Sequence, residues 1–206
     1  MLNARDALEK LREGNQRFAN DVRKVDGSFS MRRAALVDRQ FPFAIVLGCS
    51  DSRVPAELVF DQGVGDLFVI RVAGNIVAPS QVGSVEFAAV RFKTRLVVVL
   101  GHSGCGAILA ALEELRTPSP QSINLRSIVE RVRPSVAPLL ETPVARDEHE
   151  LVHQAVRANV RASANHLRHG SSILEGLIEK EGLRVVGGEY SLETGEVDFF
   201  DGLSDL

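Results

Sequence analysis

The sequence predicts an α/β fold, in which a mostly parallel central sheet is flanked by helices. Three short segments, at 43–48, 67–72 and 95–100, are almost entirely apolar and show no alternation with polar residues. Such runs are typical of strands that are buried on both faces of a parallel sheet. Segments with helical character lie between them, and alternating strands and helices are characteristic of the α/β class. With 45% hydrophobic and 25% charged residues, the 206-residue chain is expected to form a single globular domain over 1–206.

Apolar residues at helical spacing predict a helix over 3–20, and residues 1–25 are expected to form an N-terminal helical arm. A polar segment with a glycine follows, and a short helix is expected at 31–39, ahead of Pro42. The later helices are predicted at 55–61, 80–92, 105–116, 122–133, 147–169 and 171–181.

The end of the chain predicts a pair of strands. A late strand is predicted over 183–190, and Gly195 marks a turn into a final strand over 196–200. Because a short turn joins antiparallel neighbours, the final strand is expected to form an antiparallel edge of the sheet.

Composition and charge exclude several classes of partner. The net charge of −3 and the pI near 6.0 give no electrostatic reason to expect nucleic acid or an anionic membrane surface. No apolar run approaches the length of a membrane span, and the first residues lack the apolar segment of a secretory signal. We therefore expect a cytoplasmic protein in which Cys49 and Cys105 are reduced.

Potential metal ligands follow two of the predicted strands. Cys49 comes directly after 43–48, and a glycine-rich turn after 95–100 carries His102 and Cys105. Alone, the cysteine would be an ordinary buried residue and the glycine turn a phosphate-binding loop. Carboxyl ends of parallel strands share one edge of the sheet, so neighbouring strands would bring the three side chains together. Two thiolates and an imidazole leave the fourth position of a tetrahedral zinc open, which predicts one catalytic Zn²⁺ per chain.

Two charged residues beside the first cysteine complete this predicted site. Asp51 lies two residues after Cys49, within reach of the metal or of its bound water. Arg53 can hold Asp51 through a charge-assisted hydrogen bond. Because zinc lowers the pKa of a bound water, the site predicts a hydroxide nucleophile at neutral pH.

A second motif predicts a different metal site. His149-Glu-Leu-Val-His153 matches the H-E-x-x-H pattern of zinc proteases and lies on a predicted helix. The longer metzincin pattern fails, because Val156 occupies its glycine position. We interpret this segment as an ordinary helix with an apolar core-facing stripe.

The segments 49–55 (Cys-Ser-Asp-Ser-Arg-Val-Pro) and 101–107 (Gly-His-Ser-Gly-Cys-Gly-Ala) resemble the two signatures of β-class carbonic anhydrases. The resemblance extends along nearly the whole chain, including 68–75 and 83–87. It implies reversible hydration of CO2 to bicarbonate and a proton. The resemblance also implies a homodimer or tetramer, with the arm at 1–25 packing on a partner subunit.

The resemblance assigns roles to individual residues. It implies that Cys49, His102 and Cys105 bind the zinc, and that Asp51 and Arg53 form a catalytic dyad. In the active form Asp51 accepts a hydrogen bond from zinc-bound hydroxide. In a closed form Asp51 leaves Arg53 and takes the fourth zinc position. Substrate contact is expected at a further residue of the second signature, Gly104.

Some bacterial members of that family carry a regulatory bicarbonate pocket built from Trp, Arg and Tyr. Arg71 stands where the arginine is expected, and Tyr190 matches the tyrosine. The tryptophan position is Val46, and the chain has no tryptophan. We therefore expect weaker inhibition by bicarbonate than in relatives that have the tryptophan.

Two other functions are compatible with the same motifs. One is hydrolysis of carbonyl sulfide or carbon disulfide on the same scaffold, which pocket shape would decide. The other is a non-catalytic, zinc-bound scaffold protein. The presence of both Asp51 and Arg53 argues against the scaffold, because a purely structural zinc site needs no such dyad.

Overall fold

The computed structural model describes residues 2–22, 29–118, 120, 122–204 and 206, and within them it contains one five-stranded sheet. The strands are β1 (Ala44–Gly48), β2 (Leu67–Arg71), β3 (Leu96–His102), β4 (Arg184–Tyr190) and β5 (Val197–Asp201). Their order is β2-β1-β3-β4-β5, with β5 antiparallel to β4 and the other pairs parallel. The predicted fold class and its antiparallel edge strand are confirmed.

Helices cover both faces of this sheet. They are α1 (Ala4–Ala19), α2 (Phe29–Ala35), α3 (Ala56–Val59), α4 (Pro79–Arg91), α5 (Gly106–Arg116), α6 (Ile123–Val136), α7 (Glu148–His169) and α8 (Ser172–Glu181). Short 3₁₀ turns lie at Ala73–Asn75, Ala137–Glu141 and Pro143–Arg146. Within the described residues, no helix combines the length and apolar character needed to cross a bilayer.

The central strands explain the apolar runs in the sequence. Every residue of β1 and β3 is buried, and successive side chains point to opposite faces. Val98 packs with α1 and α3 on one face, and Val97 packs with α4, α7 and α8 on the other. A third apolar cluster, formed by α5, α6 and α7, encloses Cys49 and Cys105 at the carboxyl end of the sheet.

Some element boundaries differ from the sequence prediction. Strand β3 continues to His102, because this residue pairs with Tyr190 of β4. Helix α2 starts and ends earlier than 31–39, and a turn bond from Leu36 N–H to the Arg33 carbonyl closes it.

Helix α6 continues beyond the predicted end, through Pro134. A proline inside a helix removes one backbone hydrogen bond. Here Val132 and Val136, four residues apart, are both fully buried on the same face of the helix. Their burial favours one more helical turn after the proline.

The N-terminal helix docks on its own chain through close backbone contact. Asn15 of α1 donates to the carbonyls of Val59 (3.1 Å) and Gly195 (2.8 Å), and accepts from the Val197 N–H (2.8 Å). Gly14 lies against the Phe60 carbonyl, and a Cβ at this position would stand 1.9 Å from that oxygen. Packing of the arm at 1–25 on a partner subunit stays a prediction, and residues 1 and 23–25 of it lie outside the described part of the chain.

The close approach at Gly14 predicts that a larger residue at this position destabilises the fold. Alanine normally stabilises a helix interior relative to glycine by about 1 kcal/mol. We expect Gly14→Ala instead to lower the free energy of unfolding by about 1–3 kcal/mol, because the added methyl group must displace backbone. Gly176 in the middle of α8 is the matched control, since a Cβ there meets nothing within 4 Å. Denaturant unfolding at equal metal loading measures both, and a stabilised Gly14→Ala variant would contradict the packing.

Candidate metal centre

The potential ligands meet where β1 and β3 end. The two strands are neighbours, with Gly48 opposite Leu100 in the register. Cys49 follows β1 directly, His102 is the last residue of β3, and Cys105 caps the N-terminus of α5. The two sulfur atoms are 3.9 Å apart, and the ligand atoms of all three side chains lie within 4.8 Å of one another. The sequence prediction that these residues converge is confirmed.

The imidazole of His102 has one ring nitrogen that is free to bind a metal. Its Nδ1 lies 3.0 Å from the Ser103 carbonyl, an arrangement in which Nδ1–H donates and Nε2 keeps a free lone pair. His102 is completely buried, and its Nε2 has no hydrogen-bond partner among the described residues. A buried polar atom without a partner is costly, and a metal ion bound at Nε2 would satisfy it.

Hydrogen bonds favour ionisation of the first thiol. The Cys49 sulfur accepts the backbone N–H groups of Asp51 and Gly74, each at 3.4 Å. The hydrogen bond with Cys105 contributes most to lowering the pKa of Cys49, to about 4, and His102 contributes further. The same bond, together with burial, raises the pKa of Cys105. A divalent cation bound between the two sulfurs would stabilise both as thiolates.

The Asp51 carboxylate lies beside the open face of this cluster. Arg53 binds both of its oxygens, from Nε to Oδ1 at 2.9 Å and from Nη2 to Oδ2 at 2.7 Å, and the Arg53 backbone N–H also donates to Oδ1 at 3.0 Å. These hydrogen bonds hold the pKa of Asp51 well below its usual range. Its Oδ2 is 3.9 Å from His102 Nε2, so the carboxylate faces the free lone pair without bonding to it.

Arg71 has a structural role that the sequence did not indicate. Its guanidinium donates from Nε to the Cys49 carbonyl (3.0 Å) and from Nη2 to the Asp51 carbonyl (2.6 Å). These bonds tie the first signature loop to the end of β2. Tyr190 lies on β4, separated from β2 by two strands, and packs against Phe18 in the apolar cluster beside α1. A shared effector-binding role for Arg71 and Tyr190 stays a prediction.

Gly104 shapes the turn between the other two ligands. Its φ of +63° lies in the left-handed region, where a side chain is strained. A Cβ there would meet no atom within 4 Å, so the turn is open on this side. Gly104 and Arg53 both line a cavity of about 670 Å³. Substrate contact at Gly104 stays a prediction.

Two polar residues on α7 support the site and were missed in the sequence. Asn159 donates from Nδ2 to the Gly74 carbonyl at 2.8 Å, and Ser163 donates from Oγ to the Asn75 carbonyl at 3.0 Å. Gly74 is the residue whose N–H bonds to the Cys49 sulfur. The available signal was the occurrence of polar residues within the apolar stripe of the helix predicted at 147–169.

The H-E-x-x-H segment forms side-chain pairs of a different kind. His153 contacts Glu189 through Nε2 (3.2 Å) and Glu150 through Nδ1 (3.7 Å). Burial raises the pKa of Glu189, against the opposing effect of His153 and Arg157. In the described part of the chain, Cys49, His102 and Cys105 are the only group of three metal-binding side chains that converge.

Comparison with known proteins agrees with the site and the fold. The family model for carbonic anhydrase matches residues 44–197. A carbonic anhydrase of Mycolicibacterium smegmatis is 38% identical over 201 residues, which cover 97% of this chain and 95% of the relative. Carbonic anhydrase 2 of Mycobacterium tuberculosis is 36% identical over 200 residues, covering 97% and 94%.

Solved structures of β-carbonic anhydrases superpose on this chain. One β-carbonic anhydrase superposes with a TM-score of 0.76 at 28% identity, covering 98% of this chain and 94% of that one. One of two tetrameric β-carbonic anhydrases from Sordaria macrospora superposes with a TM-score of 0.72 at 27% identity, covering 82% and 85%. The chain therefore belongs to the carbonic anhydrase family of enzymes, in its β class.

Proposed function

We propose that this enzyme catalyses the zinc-dependent, reversible hydration of CO2 to bicarbonate and a proton. The observation that carries the proposal is the buried, unpartnered Nε2 of His102, which lies within 4.8 Å of two thiol sulfurs and 3.9 Å from the Asp51 carboxylate. Cys49, His102 and Cys105 would hold one Zn²⁺ per chain. Thiolate and imidazole donors suit zinc, and three protein ligands are the number found in its catalytic sites.

Zinc, when bound, lowers the pKa of a coordinated water and so supplies a hydroxide nucleophile near neutral pH. The chain itself orients that nucleophile. Asp51 is ionised, because hydrogen bonds from Arg53 lower its pKa, and it can therefore only accept hydrogen bonds. Its position 3.9 Å from His102 Nε2 suits an acceptor for the O–H of the nucleophile. Arg53 binds both carboxylate oxygens, which fixes the direction of this acceptor.

The candidate ligands lie against the core on one side and a cavity on the other. Cys49 and Cys105 belong to a buried apolar cluster that also contains Ile76, Ile108 and Val132. A substrate would approach from the cavity that Gly104 and Arg53 line. The open turn at Gly104 adds space beside the ligands.

We also propose a closed state and an oligomeric, cytoplasmic protein. In the closed state Asp51 would leave Arg53 and occupy the fourth metal position. The tetrameric description of the Sordaria macrospora relatives supports a homodimer or tetramer. Two cysteines that are free thiols suit a reducing compartment, and the net charge of −3 gives no reason to expect nucleic acid or membrane as a partner.

Metal binding is the first test. We expect purified protein to retain about one zinc per chain, and Cys105→Ser to lose most of it together with CO2 hydration, because a serine hydroxyl stays protonated at neutral pH. Ser50→Ala, at an exposed position beside Cys49, is the matched control and should retain both. Elemental analysis after dialysis and stopped-flow CO2 hydration are the measurements. Full zinc content in Cys105→Ser would overturn the ligand assignment.

The carboxylate beside the metal is tested separately. We expect Asp51→Asn to keep its zinc and lose about 10- to 100-fold in kcat/KM, since the neutral amide orients the nucleophile less well. Asp66→Asn is the control. Asp66 forms a similar ion pair with Arg32 (2.5 Å), but it lies just before β2, at the end of the strand away from Arg71 and the candidate metal centre. Equal activity of both variants would contradict the role of Asp51. The same assay with carbonyl sulfide and carbon disulfide ranks the alternative substrates.

Regulation by bicarbonate gives a third test. Val46 is completely buried at the position where some relatives have a tryptophan. We therefore expect bicarbonate to inhibit weakly and in a graded manner at fixed pH. An activity titration with bicarbonate measures this. Steep, cooperative inhibition of the wild-type enzyme would contradict the expectation.

A further inference from the structure

The 3₁₀ turn at Ala73–Asn75 has an unusual backbone conformation. Gly74 has a φ of +70°, and Asn75 has a φ of +42°, so two successive residues lie in the left-handed region. A non-glycine residue persists there only when surrounding contacts determine it. The turn also lies close to the start of α5, where a Cβ on Gly74 would stand 3.0 Å from the Cβ of Ala107.

The turn contributes directly to the metal site. The Gly74 N–H donates to the Cys49 sulfur at 3.4 Å, and it is one of two backbone donors to this atom. Such a donor stabilises the thiolate over the thiol. The other donor, the Asp51 N–H, belongs to the signature loop itself. Gly74 therefore holds the Cys49 sulfur from a segment outside the signature loop.

Helix α7 fixes both carbonyls of the left-handed pair. Asn159 donates to the Gly74 carbonyl (2.8 Å) and Ser163 to the Asn75 carbonyl (3.0 Å). Residues four apart lie on one face of a helix, so one surface of α7 makes both bonds. Asn159 is 2% exposed and Ser163 is 5% exposed, so water does not compete for these carbonyls. A core helix face would otherwise be apolar, as it is at Val156 and Val160.

We propose that Asn159 and Ser163 are positioning residues that set the metal affinity of the site, by holding the Gly74 N–H on the Cys49 sulfur. The inference rests on the proposed function only in taking Cys49 as a zinc ligand. The Gly74 carbonyl belongs to the peptide that follows the Gly74 N–H, so Asn159 holds this donor indirectly, by fixing the left-handed conformation of Gly74. Without the bond from Asn159 we expect the turn to loosen and the hydrogen bond to the sulfur to weaken. Partners of this kind around metal ligands are typically worth about 10- to 100-fold in metal affinity.

The test measures metal binding and a spectrum rather than turnover. We expect Asn159→Leu, which keeps side-chain size but has no donor, to bind zinc about 10- to 100-fold more weakly in competition with a chromophoric chelator. Ser163→Ala removes the hydrogen bond to the Asn75 carbonyl with a smaller change in the side chain, and it should also weaken zinc binding. In the Co²⁺-substituted protein, both variants should shift the thiolate-to-cobalt absorption band, because the electron density on the Cys49 sulfur changes.

Leu167→Ala is the matched control for lost stability. Leu167 is a fully buried residue of the same helix, but it packs in the cluster beneath β1 and β3. Truncating it destabilises the fold by leaving a cavity. We expect it to leave the zinc affinity and the cobalt band unchanged, at a temperature where circular dichroism shows every metal-free variant to be folded.

The outcomes separate this inference from the proposed function. Wild-type protein that binds neither zinc nor Co²⁺ would overturn both. Wild-type protein that binds them, with Asn159→Leu and Ser163→Ala at wild-type affinity and with the wild-type band, would overturn the inference alone. An equal loss of affinity in Leu167→Ala would also overturn it, because general destabilisation would then explain the effect.

Discussion

The parallel pairing of β1 with β3 is the constraint on which the candidate metal centre depends. Both strands are buried on both faces, so a slip of one residue would turn every side chain to the opposite layer. The fixed register places Cys49 next to the end of β3 and brings its sulfur within 3.9 Å of Cys105. The spacing of the candidate ligands is therefore set by the packing of the sheet.

The three candidate metal ligands are anchored in different ways. His102 is part of the sheet and Cys105 begins a helix, so regular structure on each side fixes both. Cys49 lies in a loop, and three contacts replace regular structure there. Arg71 bonds to its carbonyl, and the backbone of Asp51 and of Gly74 bonds to its sulfur. This explains why polar residues from β2 and α7 reach into the carboxyl end of an otherwise apolar sheet.

The sequence predicted what depends on local pattern. Buried strands appear as apolar runs, and potential ligands appear at strand ends. The fold class was therefore accessible, and so was the convergence of Cys49, His102 and Cys105, on the condition that their two strands are neighbours. Contacts between distant segments were not. The bond from Asn159 to the Gly74 carbonyl joins residues 85 positions apart, and a lone asparagine in a helix does not indicate its partner. Likewise, the placement of His102 within β3 depends on pairing with Tyr190, which no local pattern encodes.

The same anchoring limits how the site can rearrange. The Asp51 carbonyl is held by Arg71 at 2.6 Å and its N–H by the Cys49 sulfur at 3.4 Å, so the backbone of this residue is fixed on both sides. Its carboxylate, in contrast, is held by Arg53, whose side chain is 57% exposed. Apart from the bond from the Arg53 N–H, these contacts join side-chain atoms, so they can break without movement of the Asp51 backbone. Movement of the carboxylate towards the metal position therefore requires rotation of one side chain, whereas movement of the loop would break the contacts that hold Cys49.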